Sequence, residues 1–148
     1  MSLTYLVYVS QAERALDEEA LAAILAESRA YNPAHGITGA LLFVAGRDGN
    51  SGSFMQLLEG EKADVDTLRK RIFADGRHHT KVVIEQGPLE TRTFADWSMA
   101  FRGVTAKALE AYPSFARLGE PDFVETFNRG DAKGALAFLN EFWNAPAL

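Results

Sequence analysis

Five polar side chains stand out in this sequence: Tyr8, Asn32, Gln56, Arg71 and Asp75. Gln56 poses the sharpest question. It lies in FMQLLEG at 54–60, flanked by Phe54, Met55, Leu57 and Leu58, where Val or Ile would pack better. A buried carboxamide is costly unless its hydrogen bonds are made. Either Gln56 faces solvent, or a polar partner waits inside. Strand parity offers one. Leu6, Tyr8 and Ser10 share a face of one strand, and Phe54, Gln56 and Leu58 share a face of another. If both faces turn towards the helices, the phenol and the amide can hydrogen-bond. Asn32 sits one turn beyond Ser28 at a helix end. Arg71 and Asp75, four apart on a second helix, can form an ion pair. With Ile24 and Ile72 as walls, these groups outline a slot for a flat heterocycle with a polar rim.

Each residue also has a plainer explanation. Tyr8 can be a core tyrosine with its hydroxyl at the rim. Asn32 before Pro33 can be a helix C-cap. Asp75 before Gly76 can end a helix. Convergence of the group, rather than any one member, argues for a site.

The elements that must position these residues follow from pattern. Residues 3–10 are β-rich and aromatic, a strand. A helix over 16–32 has Asp17 as N-cap and Leu21, Ile24, Leu25 and Ser28 on its inner face. GITGALLFVA at 36–45 reads as a buried strand, GRDGNSGS at 46–53 as a loop, and 54–58 as the next strand. A second amphipathic helix covers 61–75, with Val65, Leu68 and Ile72 inward. KVVIEQG at 81–87 is a strand, and WSMAFRGV at 97–104 a fifth. The order β-α-β-β-α-β plus one strand is the ferredoxin-like α+β pattern, with both helices on one sheet face. The tail, 105–148, reads as short helices, and GALAFLNEFW at 134–143 packs on the other face. Two units are expected: a core over 1–104 and a helical extension over 105–148.

Composition limits the chemistry. A chain of 148 residues can bury ~70% of its unfolded surface without disulfides or metal. There is no cysteine, so thiolate catalysis and Cys-ligated zinc are excluded. A net charge of −5, with only the short RKR run at 69–71, argues against nucleic acid. The N-terminus lacks a signal-peptide pattern and no segment is long enough to span a membrane, so a cytoplasmic location is expected.

Over 3–101 the sequence resembles the BLUF domains, blue-light sensors using flavin. The resemblance rests on YVS at 8–10, SRAYNPAHGITGALL from Ser28, FMQLLEG from Phe54, RIFADGRH from Arg71 and FADWSMAF from Phe94, in order and at family-like spacing. It implies FAD, with FMN possible, held non-covalently between the two helices. It implies that Tyr8 is the photoactive tyrosine and Gln56 the switching glutamine. Asn32 would hold the flavin C4=O and N3–H, Arg71 would reach C2=O, and Asp75 would orient Arg71. Ile24 and Ile72 would sandwich the ring, with Ser28 beside it. Arg77 and His78 would have a structural role or lie near the ribityl phosphate. Trp97 and Met99 would be the fifth-strand residues that exchange places in signalling. In the implied cycle the tyrosine gives an electron to excited flavin. The glutamine relays the proton and returns in a new orientation or tautomer, and absorption moves to the red.

Three features depart from the family's pattern. The 45–53 loop is longer than the usual hairpin. Tyr31 stands where many members carry His or Asn. Arg47, His35 and His79 have no assigned role beyond the surface. The expected function is a blue-light receptor, not an enzyme, that signals through an unidentified protein partner or through homo-oligomer assembly. A flavin-free interaction domain on the same fold is one alternative. An acylphosphatase-like hydrolase is another, disfavoured because YVSQAERAL offers Arg14 but no glycine-rich phosphate loop.

Overall fold

The computed structural model describes residues 3–12, 18–46, 52–76, 78–112, 115, 118 and 134–144, with backbone only for 78–80 and 106. Strands β1 (Leu3–Ala12), β2 (Thr38–Val44), β3 (Ser53–Glu61), β4 (His78–Pro88) and β5 (Ala100–Val104) form one sheet in the order β4-β1-β3-β2-β5. The first four strands pair antiparallel with one another, and β5 runs parallel to β2. Helices α1 (Glu18–Tyr31) and α2 (Lys62–Phe73) join β1 to β2 and β3 to β4. Helix α3 (Ala135–Asn144) comes last among the described elements, after a short 3-10 helix at Ala106–Leu109. This is the ferredoxin-like α+β fold with an added fifth strand.

Both sheet faces are covered, which explains the near-continuous apolar runs of β2 and β3. On one face, Leu6, Tyr8, Leu41 and Leu58 meet Leu25 of α1 and Val65 and Leu68 of α2. On the other, Val7, Val9, Leu42, Met55 and Leu57 meet Phe138, Leu139 and Phe142 of α3, with Leu109, Phe115 and Leu118. Helices α1 and α2 carry charges that suit their dipoles. Glu18 and Glu19 open α1 and Arg29 closes it; Asp64 opens α2 and Lys70 and Arg71 close it.

The two glycines of GITG each have a steric cause. Gly36 has φ 65°, the left-handed region, and turns the chain from α1 into β2. A Cβ on Gly39 would lie 2.0 Å from the Leu57 carbonyl oxygen, so only glycine lets β2 approach β3 there.

The boundaries differ from expectation in informative places. Strands β1, β3 and β4 are longer, because pairing with their neighbours continues past the apolar runs: Gln11 pairs Ser53 and His79, and Leu3 pairs Glu61. Helix α2 ends at Phe73, two residues before Asp75. The fifth strand begins at Ala100, not Trp97, because Ala100 opposite Ala40 is the first pair with β2. Asp17, Arg14 and Arg47 lie outside the described residues, as does most of the 45–53 loop.

Candidate functional site

Tyr8 and Gln56 are direct cross-strand partners in the β1–β3 ladder. Both point towards the helices, and both are almost fully buried; Gln56 is 5% exposed. The Tyr8 hydroxyl donates a hydrogen bond to Gln56 Oε1. The amide thus turns its oxygen to Tyr8. Its Nε2 turns the other way and donates to Met99 Sδ at 3.4 Å. A thioether is a weak acceptor, so this second contact is the softer of the two. The Tyr8 phenol is pushed well above its ordinary pKa, chiefly by burial and then by the nearby Asp75 carboxylate. It therefore stays protonated, and remains a donor, at any ordinary pH.

The pair floors a cleft between α1 and α2 of about 720 Å³, its open mouth included. Ile24, Leu41, Phe54, Leu68 and Ile72 make it apolar, while Ser28, Asn32, Arg71 and Asp75 supply polar groups. The structure thus brings together Tyr8, Ile24, Ser28, Asn32, Gln56, Arg71, Ile72 and Asp75 around one cavity. Arg77 lies outside the described residues, and His78 is described by its backbone alone, at the start of β4.

Individual partners refine the expectations. The Asn32 backbone ends α1 through its N–H to the Ser28 carbonyl at 2.8 Å. Its side chain does something else. Only 1% exposed, it crosses to the segment before β5 and donates Nδ2 to the Ser98 carbonyl at 2.6 Å. Ser28 Oγ bonds back to the Ile24 carbonyl at 3.2 Å. The Arg71 guanidinium lies 4.7 Å over the Tyr31 ring, while Asp75 sits past the helix end. His35 is more than a surface residue: its ring stacks on Tyr31 at 3.8 Å and its Nδ1 meets the Tyr31 carbonyl oxygen at 2.9 Å. Two groups cannot occupy one ring face at those distances, so Tyr31 is held between Arg71 and His35 at the cleft wall. The tyrosine that departs from the family pattern is thus integrated into the site.

Met99 is buried beside Gln56, and Trp97 is 52% exposed. Trp97 belongs to a turn: its N–H bonds the Phe94 carbonyl at 3.0 Å and its carbonyl accepts from Gly39 N–H at 3.2 Å. Sequence reasoning missed three residues that hold this region. Glu59, fully buried on the opposite sheet face, accepts Thr93 N–H at 2.6 Å, Phe94 N–H at 2.9 Å and the Thr38 hydroxyl at 3.1 Å. Arg92 donates to the Thr38 hydroxyl and to the carbonyls of Gly36 and Glu59. Arg29 donates to the Met99 carbonyl. Glu59 lies just past the 54–58 run read as a strand, where a carboxylate looks like the start of a turn; pairing that extends β3 to Glu61 is what buries it.

The family model for sensors of blue light using FAD matches residues 3–100. The chain belongs to the BLUF family. Among curated BLUF relatives, the photoactivated adenylate cyclase subunit beta of Euglena gracilis is 34% identical over 113 residues, 76% of this chain. The chain spans about an eighth of that protein's length, the match covering 12% of it. Among solved structures, the BLUF protein BlrB in its dark state is 34% identical, covers 88% of this chain and 96% of its own, and superposes with a TM-score of 0.65. BlsA in its ground state is 27% identical, with a TM-score of 0.70, covering 99% of this chain and 91% of its own.

The donor set fits a flavin. Isoleucines and leucines line the cleft, and a carboxamide pair with a guanidinium can match the alternating C=O and N–H groups along the edge of an isoalloxazine. Among the described residues, no cluster of His, Cys, Asp and Glu could hold a metal, and no helix is long and apolar enough to cross a membrane.

Proposed function

We propose that this chain is a blue-light photoreceptor that holds flavin between α1 and α2 and switches through Tyr8 and Gln56. The observation that carries this reading is the buried hydrogen bond from the Tyr8 hydroxyl to Gln56 Oε1 on the cleft floor. Ile24 and Ile72 would sandwich the ring. Asn32 and Gln56 would face its carbonyl edge, and Arg71 would leave Tyr31 or reach past it to the pyrimidine end. Asp75, Ser28, Arg77 and His78 complete the proposed binding set. FAD is favoured over FMN by the family's own cofactor.

Bound flavin would supply the blue absorption and, once excited, an oxidant for a phenol. The chain supplies the rest. Tyr8 keeps its proton until it loses an electron, because burial disfavours the phenolate. Oxidised, it becomes a strong acid with Gln56 Oε1 already in contact. The carboxamide carries a donor at its other end, so it can accept one proton, give up another and return rotated or as a tautomer. If it rotates, an oxygen replaces Nε2 opposite Met99 Sδ. Two acceptors then face each other, and Met99 loses the contact that seats it. The segment entering β5 would carry that change outward, and residues 105–148 would form the extension that presents it to a partner or a second copy. The adenylate cyclases among the relatives suggest the kind of output such a core can govern.

Purified protein should be yellow, release FAD on denaturation and show a small reversible red shift under blue light. Tyr8→Phe should keep the flavin and lose the shift. Colourless protein that takes up neither FAD nor FMN would overturn the reading. A normal shift in the Phe variant would overturn the role of Tyr8.

A further inference from the structure

Arg29 lies in the last turn of α1, three residues before Asn32. Side chains at that spacing share a helix face. They reach consecutive carbonyls of the same segment. Asn32 Nδ2 donates to Ser98 O at 2.6 Å, and Arg29 donates to Met99 O from Nε at 3.3 Å and from a terminal nitrogen at 3.1 Å.

The geometry has a specific consequence. The Ser98 carbonyl belongs to the peptide plane before the Met99 Cα, and the Met99 carbonyl to the plane after it. Peptide planes are rigid, and only φ and ψ at the Cα let them turn. Tethering both planes restrains both dihedrals of Met99, and so the direction in which its side chain leaves the backbone. From that direction, with the side chain's own torsions, Sδ comes to 3.4 Å from Gln56 Nε2.

We propose that Arg29 is a positioning residue for the Gln56 switch. With Asn32 it locks the backbone of Met99, so that the thioether meets the amide in the resting state. This rests on the reading of the cleft as a flavin switch. A plain helix-dipole role for Arg29 would need only its charge. The lock needs the fork, because two guanidinium nitrogens share one carbonyl.

The test uses Arg29→Ala and Arg29→Lys in the full chain. Hydrogen exchange in the dark should quicken over 97–104 in the Ala variant and stay unchanged over 3–12. Recovery from the lit state should slow by about fivefold, the scale of one lost hydrogen bond, because Met99 must reseat without its lock. The Lys variant keeps the charge and one point contact, and should fall between. Parent-like exchange over 97–104 in Arg29→Ala would overturn the inference, whatever the colour of the protein. So would recovery within twofold of the parent, or a Lys variant indistinguishable from the parent. Failure to bind flavin would instead sink the proposed function, with the exchange measurement still deciding on Arg29.

Discussion

Gln56 has a fixed orientation because its two neighbours differ in kind. A phenol held neutral by burial must find an acceptor, and a thioether can only accept. The amide therefore has one good arrangement at rest and one poor one. Gln56→Leu keeps the volume and removes both ends of that choice. It should bind flavin, show no red shift, and lose about 1–2 kcal/mol by taking away the acceptor of the Tyr8 hydroxyl, measured by urea unfolding. Much of this was legible in the sequence. Strand parity grouped Tyr8 with Leu6 and Ser10, and Gln56 with Phe54 and Leu58; their pairing followed once both groups were taken to face the helices, and the register of β1 against β3 bears it out. Arg29 was not legible, because its partner is a backbone carbonyl, a group that every residue carries. The stacking of Tyr31 between Arg71 and His35 was hidden for a related reason: it joins the ends of two helices whose packing no local pattern encodes.

At the scale of elements, the irregular segment between β4 and β5 depends on Glu59. This carboxylate accepts from two backbone N–H groups and one hydroxyl, so both oxygens must act as acceptors. Glu59→Gln is isosteric yet wrong, because it turns an amide NH2 against a donor. It should cost about 2–3 kcal/mol and speed hydrogen exchange over 93–99. A loss within 0.5 kcal/mol, on the order of a neutral surface change, would refute the role. The elements themselves were readable from apolar runs and helical spacing. Their ends were less so. Trp97 and Met99 look like strand residues by composition, but hydrogen bonds to Phe94 and Gly39 hold 97 in a turn, and pairing with β2 starts only at Ala100.

Across the whole molecule, α3 is tied to both edges of the sheet. On β4, Glu85 accepts the N–H groups of Gly134 and Ala135, each at 2.8 Å, at the start of the helix. On β5, Arg102 donates to the carbonyls of Phe142 and Trp143, each at 3.0 Å, at its end. Each charge suits the helix dipole it meets. Tyr5 of β1 donates to the same Glu85 at 2.8 Å, and its phenol is pushed up to about 12 from 10.0, by burial first and then by Glu85. The folded state thus holds this proton more tightly than the unfolded chain. Its stabilising effect is complete below pH 10 and is lost as pH climbs towards 12. Unfolding midpoints taken across that interval should fall less steeply in Tyr5→Phe than in the parent; parallel curves would dismiss the linkage.

The ten residues of α3 measure ~15 Å along the axis, and five strands span ~19 Å from edge to edge. A rod of fixed length is therefore fastened to the two outermost strands of a twisted sheet. Its fasteners stay in register only for one pitch of the strands between them. Helix α3 acts as a gauge of the sheet's coiling: a rotation of β5 against β4 shifts one fastener against the other and loads the rod at its ends.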